Sequence, residues 1–182
     1  MNRNLPKVLR LVGVTALYAL LACWTVLASQ THRANPGNTD ETFVRSAAEA
    51  SMSQVDLGKV AEQRAQNPEV KKFAQLMVEE HSKLTEQLKQ LGMSEGINLP
   101  TSVSRTDADA HRHLATLSGA SFDKNYVQQL TSELERENAE FKRGASTATK
   151  TNLKDFAERT LPTIESELQQ AKQLSSRVAR QG

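Results

Sequence analysis

Val70-Lys71-Lys72-Phe73-Ala74-Gln75-Leu76-Met77-Val78-Glu79-Glu80-His81-Ser82-Lys83-Leu84-Thr85-Glu86-Gln87-Leu88-Lys89-Gln90-Leu91 decides the fold. Val70, Ala74, Met77, His81, Leu84, Leu88 and Leu91 recur in alternating steps of four and three, the seam of a helix packed against other helices. All but one of these residues are apolar, and the exception is a histidine. A buried imidazole left without a partner costs on the order of 1–3 kcal/mol. Whatever faces His81 therefore decides whether this is a plain bundle or one with a site at its centre.

Upstream, the same spacing links Phe43, Ala47, Ala50, Gln54, Leu57 and Ala61 in a helix that starts near Thr39-Asp40. Asn67-Pro68 separates the two: asparagine caps well, and proline suits the first helical position. The second helix runs to about Gly92, and Ser94 to Arg105 reads as a loop. A short helix spans Asp107 to Leu117. Ser121 is expected to cap a third long helix to about Arg143, with Asp123 at its positive end and a stripe of Val127, Leu130, Leu134 and Phe141. The Ser/Thr/Gly-rich Gly144 to Lys150 is expected to break it. A fourth long helix runs from Asn152 to about Arg180, with Pro162 inside and a stripe from Leu153 to Val178. No segment alternates with period two, so the class is all-α. Four long amphipathic helices make an up-and-down bundle, or one with a crossover through residues 94–121.

Arg3, Lys7 and Arg10 precede an uncharged apolar run from Leu11 to Ala28. A basic start, an apolar middle and small residues at the end read as an export signal, with three alternatives. These are cleavage after Val26-Leu27-Ala28, retention as a membrane anchor, and lipidation at Cys23 within Leu20-Leu21-Ala22-Cys23. Each places the remainder in the periplasm or cell envelope. Residues 29–40 read as a flexible tether and 41–182 as the bundle domain. Without residues 1–28 the 23 basic residues fall by three and the 21 acids stay, a balance of −1. That balance implies no basic face for nucleic acid. Cys23 is the only cysteine, which excludes an intrachain disulfide and a cysteine metal site.

Antiparallel helices face each other at residues equidistant from their turn. About the Asn67–Pro68 turn this pairs Gln54 with His81, and about Lys150 it pairs Leu134 with Glu167. Glu137, three residues beyond Leu134, is a further carboxylate able to turn inward. One level of the bundle then collects Gln54, His81, Leu134 and Glu167.

The chain resembles a family of exported bacterial proteins, domain of unknown function forty-one forty-two, whose members are often labelled outer-membrane proteins. The resemblance covers nearly all of 41–175. Its motifs are Met52-Ser53-Gln54-Val55-Asp56-Leu57-Gly58, Val70 through His81, Asn98-Leu99-Pro100, Phe122-Asp123-Lys124-Asn125-Tyr126, Phe141 and Leu161-Pro162-Thr163. It implies a ferritin-like four-helix bundle. It also implies a carboxylate–histidine cluster, with glutamate usual at the Gln54 position and histidine usual at the His81, Leu134 and Glu167 positions. This chain keeps only His81 of that set.

Two readings of the centre follow. In the first, His81 is hydrogen-bonded to Gln54 or paired with Glu167, no cofactor is held, and the protein is a non-catalytic structural or binding module. Its partners are then an envelope protein or a second copy, with the membrane engaged through an uncleaved N-terminal segment. In the second, a divalent transition metal is ligated by His81 and Glu167, with Glu137 and Gln54 completing the set. No Glu-x-x-His precedes His81, where the third residue back is Val78, which argues against di-iron chemistry. Glu79 and Glu80 are expected in solvent or on Lys83, Met77 in the core, and both His111 and His113 at the surface. No phosphate loop or catalytic serine frame is present, and no enzymatic activity is expected.

Overall fold

The computed structural model describes residues 36–181, and all regular structure among them is helical. The helices are α1 (Pro36–Arg64), α2 (Pro68–Glu95), α3 (Arg105–Leu114), α4 (Gly119–Thr147) and α5 (Thr151–Gln181). The export-signal segment, Cys23 and most of the tether lie outside the described residues. The far end of the tether does not: α1 begins at Pro36, so residues 36–40 are helical, and Asp40 is buried. Among the described residues no helix is long and apolar enough to cross a membrane.

The α1–α2 turn forms as expected. The Asn67 side chain accepts from the Glu69 and Val70 amides at 2.9 and 3.4 Å, with Pro68 at the first helical position. The α2 helix continues past Gly92 to Glu95, where Gly96 takes a left-handed φ of 67° and the Ile97 amide closes on the Gly92 carbonyl. That is the glycine-terminated helix end. Ser104 caps α3 by accepting from the Asp107 amide at 3.0 Å. α4 starts earlier than expected, with Ser118 rather than Ser121 at its cap position.

Two hairpins, α1–α2 and α4–α5, pack through α1 and α4, which run antiparallel. Their turns are held by one aspartate each from the opposite hairpin. Asp123 of α4 accepts from the Gln66 and Asn67 amides at 3.1 and 2.8 Å. Asp40 of α1 accepts from the Thr149 amide and hydroxyl at 2.8 and 2.6 Å. Asp123 therefore serves another pair of helices and not the start of its own, because its carboxylate finds unpaired turn amides there. With α1 and α4 antiparallel, the link from α2 to α4 must travel the length of the bundle, and α3 lies along that crossover. Lys150 and Asn152 at the start of α5 bond to Glu95 at the end of α2, so these two helices are antiparallel as well.

Gly144 does not break α4. It lies within the helix because the Phe43 ring of α1 crosses there: a Cβ at Gly144 would sit 2.5 Å from Phe43 Cε2. Phe43 also meets Phe141 edge-on at 5.4 Å between centroids.

The core has two apolar clusters. One, at the α1–α2 turn end, includes Leu57, Met77, Tyr126, Leu130, Leu134 and Leu174. The other, at the α4–α5 turn end, includes Phe43, Val44, Leu88, Phe141, Phe156 and Ile164. Between them lie buried Ser51, Gln54, His81, Glu137 and Glu167.

Two stability changes follow. Gly144→Ala should cost about 1–3 kcal/mol in urea unfolding, because the ring of a packed phenylalanine has to move. Asp123→Ala strands two turn amides and should cost about 1–3 kcal/mol in the same assay. A loss below about 0.5 kcal/mol in either would contradict the packing described.

Candidate functional site

His81 is presented from the middle of α2 on its buried stripe and is 1% exposed. Its backbone carbonyl accepts from Ser51 Oγ of α1 at 2.8 Å and from Thr85 Oγ1 at 2.7 Å. The facing of α1 and α2 is thus within a turn of the equidistance argument. The ring lies between two carboxylates on its two nitrogens. Nδ1 is 3.7 Å from Glu137 Oε1 of α4, and Nε2 is 3.3 Å from Glu167 Oε2 of α5. The first contact is too long for a hydrogen bond and the second lacks the alignment of one, and both ring nitrogens, both Glu137 oxygens and both Gln54 amide atoms have no hydrogen-bond partner in the protein.

Protonation follows from this arrangement. Burial opposes charge on the His81 ring, but Glu137 and then Glu167 outweigh it, and the histidine is held above its ordinary 6.5. Burial pushes the Glu137 carboxyl up to about 7, against the pull of the neighbouring imidazole. The cluster thus retains protons that exposed groups of the same kind would release.

Of the expected site residues, His81, Glu137 and Glu167 come together, and Gln54 is fully buried near them. Leu134 does not join them: it packs in the apolar cluster with Tyr126 and Leu130. Glu137, one helical turn on, takes the inward place opposite Glu167 because α4 and α5 are offset from simple equidistance. Ion pairs Lys142–Glu165 and Lys172–Glu135 record that offset.

The two ring nitrogens point in opposite directions, so Glu137 and Glu167 cannot share one ion with His81. The residues present do not fit a single four-donor metal centre. Among the described residues no group of three His, Cys, Asp or Glu is placed to hold a metal ion. The layer instead has two sides. His81 and Glu167 line a groove of about 750 Å³ between α2 and α5, with Leu84, Phe156 and Arg159. Gln54 and Glu137 line a pocket of about 290 Å³ between α1, α3 and α4.

A second buried group escaped the sequence reading. His111 of α3 is only 7% exposed, contrary to its expected surface position. Its Nε2 lies 3.3 Å from Ser53 Oγ and 3.6 Å from Glu133 Oε1, and Gln129 donates to Glu133 at 2.9 Å. Serine and glutamate meet the same ring nitrogen, so this is no serine–histidine–acid relay, which needs one on each nitrogen. It ties α3 to α1 and α4. The signal was available: His111 and Leu114 stand three apart, so the helix face that buries Leu114 also buries His111, while His113 turns out to solvent. Lys83 does pair with Glu79 and Glu80, at 2.8 and 3.1 Å.

Fold and site together define an all-helical bundle of two antiparallel hairpins joined by a crossover helix, with a charged layer across its middle. The family model described as a domain of unknown function, DUF4142, matches residues 26–174, and the chain belongs to that family. A crystal structure of a DUF305 fragment from Deinococcus radiodurans superposes with a TM-score of 0.68 at 14% identity, covering 76% of this chain and 96% of that one. At that identity the likeness concerns the fold alone. No curated protein matches the chain.

The pH dependence of stability follows from the two raised groups. Glu137 is protonated in the folded state up to about 7 but ionises near 4.5 when unfolded, so its contribution is present at low pH and lost as pH rises across that interval. His81, also raised, contributes fully below 6.5 and loses that contribution as pH rises through its folded value. Both slopes have one sign. The melting temperature should therefore fall from pH 5 to pH 8, and Glu137→Gln should flatten the fall by removing on the order of 2–3 kcal/mol of it. Equal pH profiles for parent and variant would refute this account of the buried carboxyl.

Proposed function

We propose that this protein is an exported, non-catalytic binding module of the cell envelope, ferritin-like in plan, whose binding chemistry resides in the polar layer. The observation that carries this reading is the layer itself. Gln54, His81 and Glu137 are buried with unmatched polar atoms between two well-packed apolar clusters, an arrangement that costs stability unless something matches it. Among the described residues no nucleophile, base and orienting group stand in series, which supports a binding role over a catalytic one. Export is supported by Arg3, Lys7 and Arg10 ahead of the apolar run Leu11 to Ala28. Partners in this reading are an envelope protein or a second copy, not nucleic acid. The membrane is engaged through the N-terminal segment wherever that segment is retained.

Mass spectrometry of the protein recovered from the envelope fraction tests the address. The expected species begins at Ser29. A mass that retains residues 1–28 points to an anchor, and a lipid on Cys23 to a lipoprotein. Recovery of unprocessed chain from the cytosol alone would overturn export.

One observation favours a second reading, a transition-metal site. His81 Nε2 and Glu167 Oε2 lie 3.3 Å apart at the groove between α2 and α5, a separation suited to neighbouring donors on one ion. In that case Glu137, on the other nitrogen, would orient the imidazole and not ligate. Zinc or copper bound stoichiometrically by the parent and lost in His81→Ala, with folding retained by circular dichroism, is the expected result of this reading. A metal-free parent under zinc and copper titration rejects it and leaves the first.

A further inference from the structure

The pocket on the α1–α4 side carries a chemistry that the His81–Glu167 pair does not need. Five carboxylates line it, from Glu49, Asp107, Glu133, Glu137 and Glu140, against the single cation Arg136. Arg136 is already engaged by Asp107 at 3.6 Å. At its inner end lie Gln54, 0% exposed, and Glu137, 1% exposed, whose terminal atoms have no hydrogen-bond partner in the protein. The inner oxygen of Glu140, Oε1, is also unpartnered, its other oxygen being held by Arg143.

We propose that this pocket binds a small organic cation of the linear polyamine class, with one ammonium group held at the inner end by the Gln54 amide oxygen and the Glu137 carboxylate. A bare metal ion needs its donors gathered at one point, and among the described residues no three carboxylate or histidine side chains are so gathered. An ammonium group needs less: each N–H takes a separate acceptor, and a chain bearing two or three such groups spreads its donors along a pocket of about 290 Å³. Glu49 and Glu140, partly buried nearer the rim, supply acceptors for the second group. Quaternary ammonium ligands fit poorly, because they lack N–H donors and are normally held by aromatic faces, of which this pocket has none. Amino acids fit poorly because their carboxylate would need a free cation, and Arg136 and Arg143 both already face acids. The inference goes beyond the binding-module reading and concerns a different pocket from the metal alternative.

Calorimetric titration of the protein at pH 8, where the Glu137 carboxyl has lost its proton, recovered in mild detergent at physiological ionic strength, with spermidine and putrescine tests it. Saturable binding of one spermidine per chain is expected, weakened at least tenfold by Glu137→Gln and at least threefold by Glu49→Gln. Glu165→Gln, outside the pocket on α5, should leave affinity within twofold, and His81→Ala should retain saturable binding even where metal binding is lost. Should Glu137→Gln fail to fold, Glu49→Gln at the rim and Gln54→Leu, which adds no charge, carry the same comparison. No saturable heat, or equal weakening by Glu165→Gln, would overturn the proposal as mere surface charge attraction. Saturable binding of magnesium or calcium with none of spermidine would overturn it in favour of a metal ion.

Discussion

Burying ionisable groups across the full width of a four-helix bundle is the constraint to which the rest of this structure answers. An imidazole, two carboxylates and an amide lie in the middle of the core, where water would otherwise solvate each of them. Removing such groups from water is unfavourable by several kcal/mol per ion unless they are matched. The surrounding fold compensates on both sides, with an apolar cluster at either end of the bundle. The layer cannot be read as a stabilising feature. It persists because two clusters of packed Leu, Phe, Met and Ala hold it in place.

The crossed aspartates show how the scaffold is fixed. Each hairpin turn exposes amides that no helix satisfies, and each is closed by a carboxylate from the other hairpin, Asp123 in one case and Asp40 in the other. Gln54 and Glu137 each lie the same distance along the chain from the aspartate of their own helix. The two hairpins are therefore built on one plan, and the inward polar positions of α1 and α4 correspond. In one hairpin that position is an amide and in the other an ionisable carboxyl. This difference gives the α1–α4 pocket both an amide acceptor and a carboxylate at its inner end.

The same geometry separates the layer chemically. A histidine ring has two nitrogens on opposite edges, and here each edge faces a different glutamate on a different helix. Glu167 belongs to the open groove between α2 and α5, and Glu137 to the pocket roofed by α3. His81 thus joins two openings of unlike character: one with an imidazole and an apolar floor, the other with five carboxyl groups and the Gln54 amide beside a single arginine. The Ser53–His111–Glu133 contacts, which dock α3, complete the roof of the second.

Much of this was legible in the residues. Stripes of period 3.5, the Asn67-Pro68 start and the one histidine in an apolar seam depend on local spacing, and local spacing survives into the folded state. Counting outward from the turns also brought Gln54, His81 and Glu167 towards one level. The count missed at Leu134, because it treats paired helices as mirror images about their turn. Packing of α4 on α5 slides them, and Glu137 takes the place. Gly144 read as a breaker because nothing local reveals that Phe43, about a hundred positions upstream, needs its missing side chain. Asp123 read as a cap for its own helix for the same reason. The sequence by itself determined the helices among the described residues, the inward faces of the long ones and the presence of a polar group at the core. Only the tertiary structure decided which side chains meet there and from which side each can be reached, because those depend on how far neighbouring helices slide and separate, and no single helix encodes that.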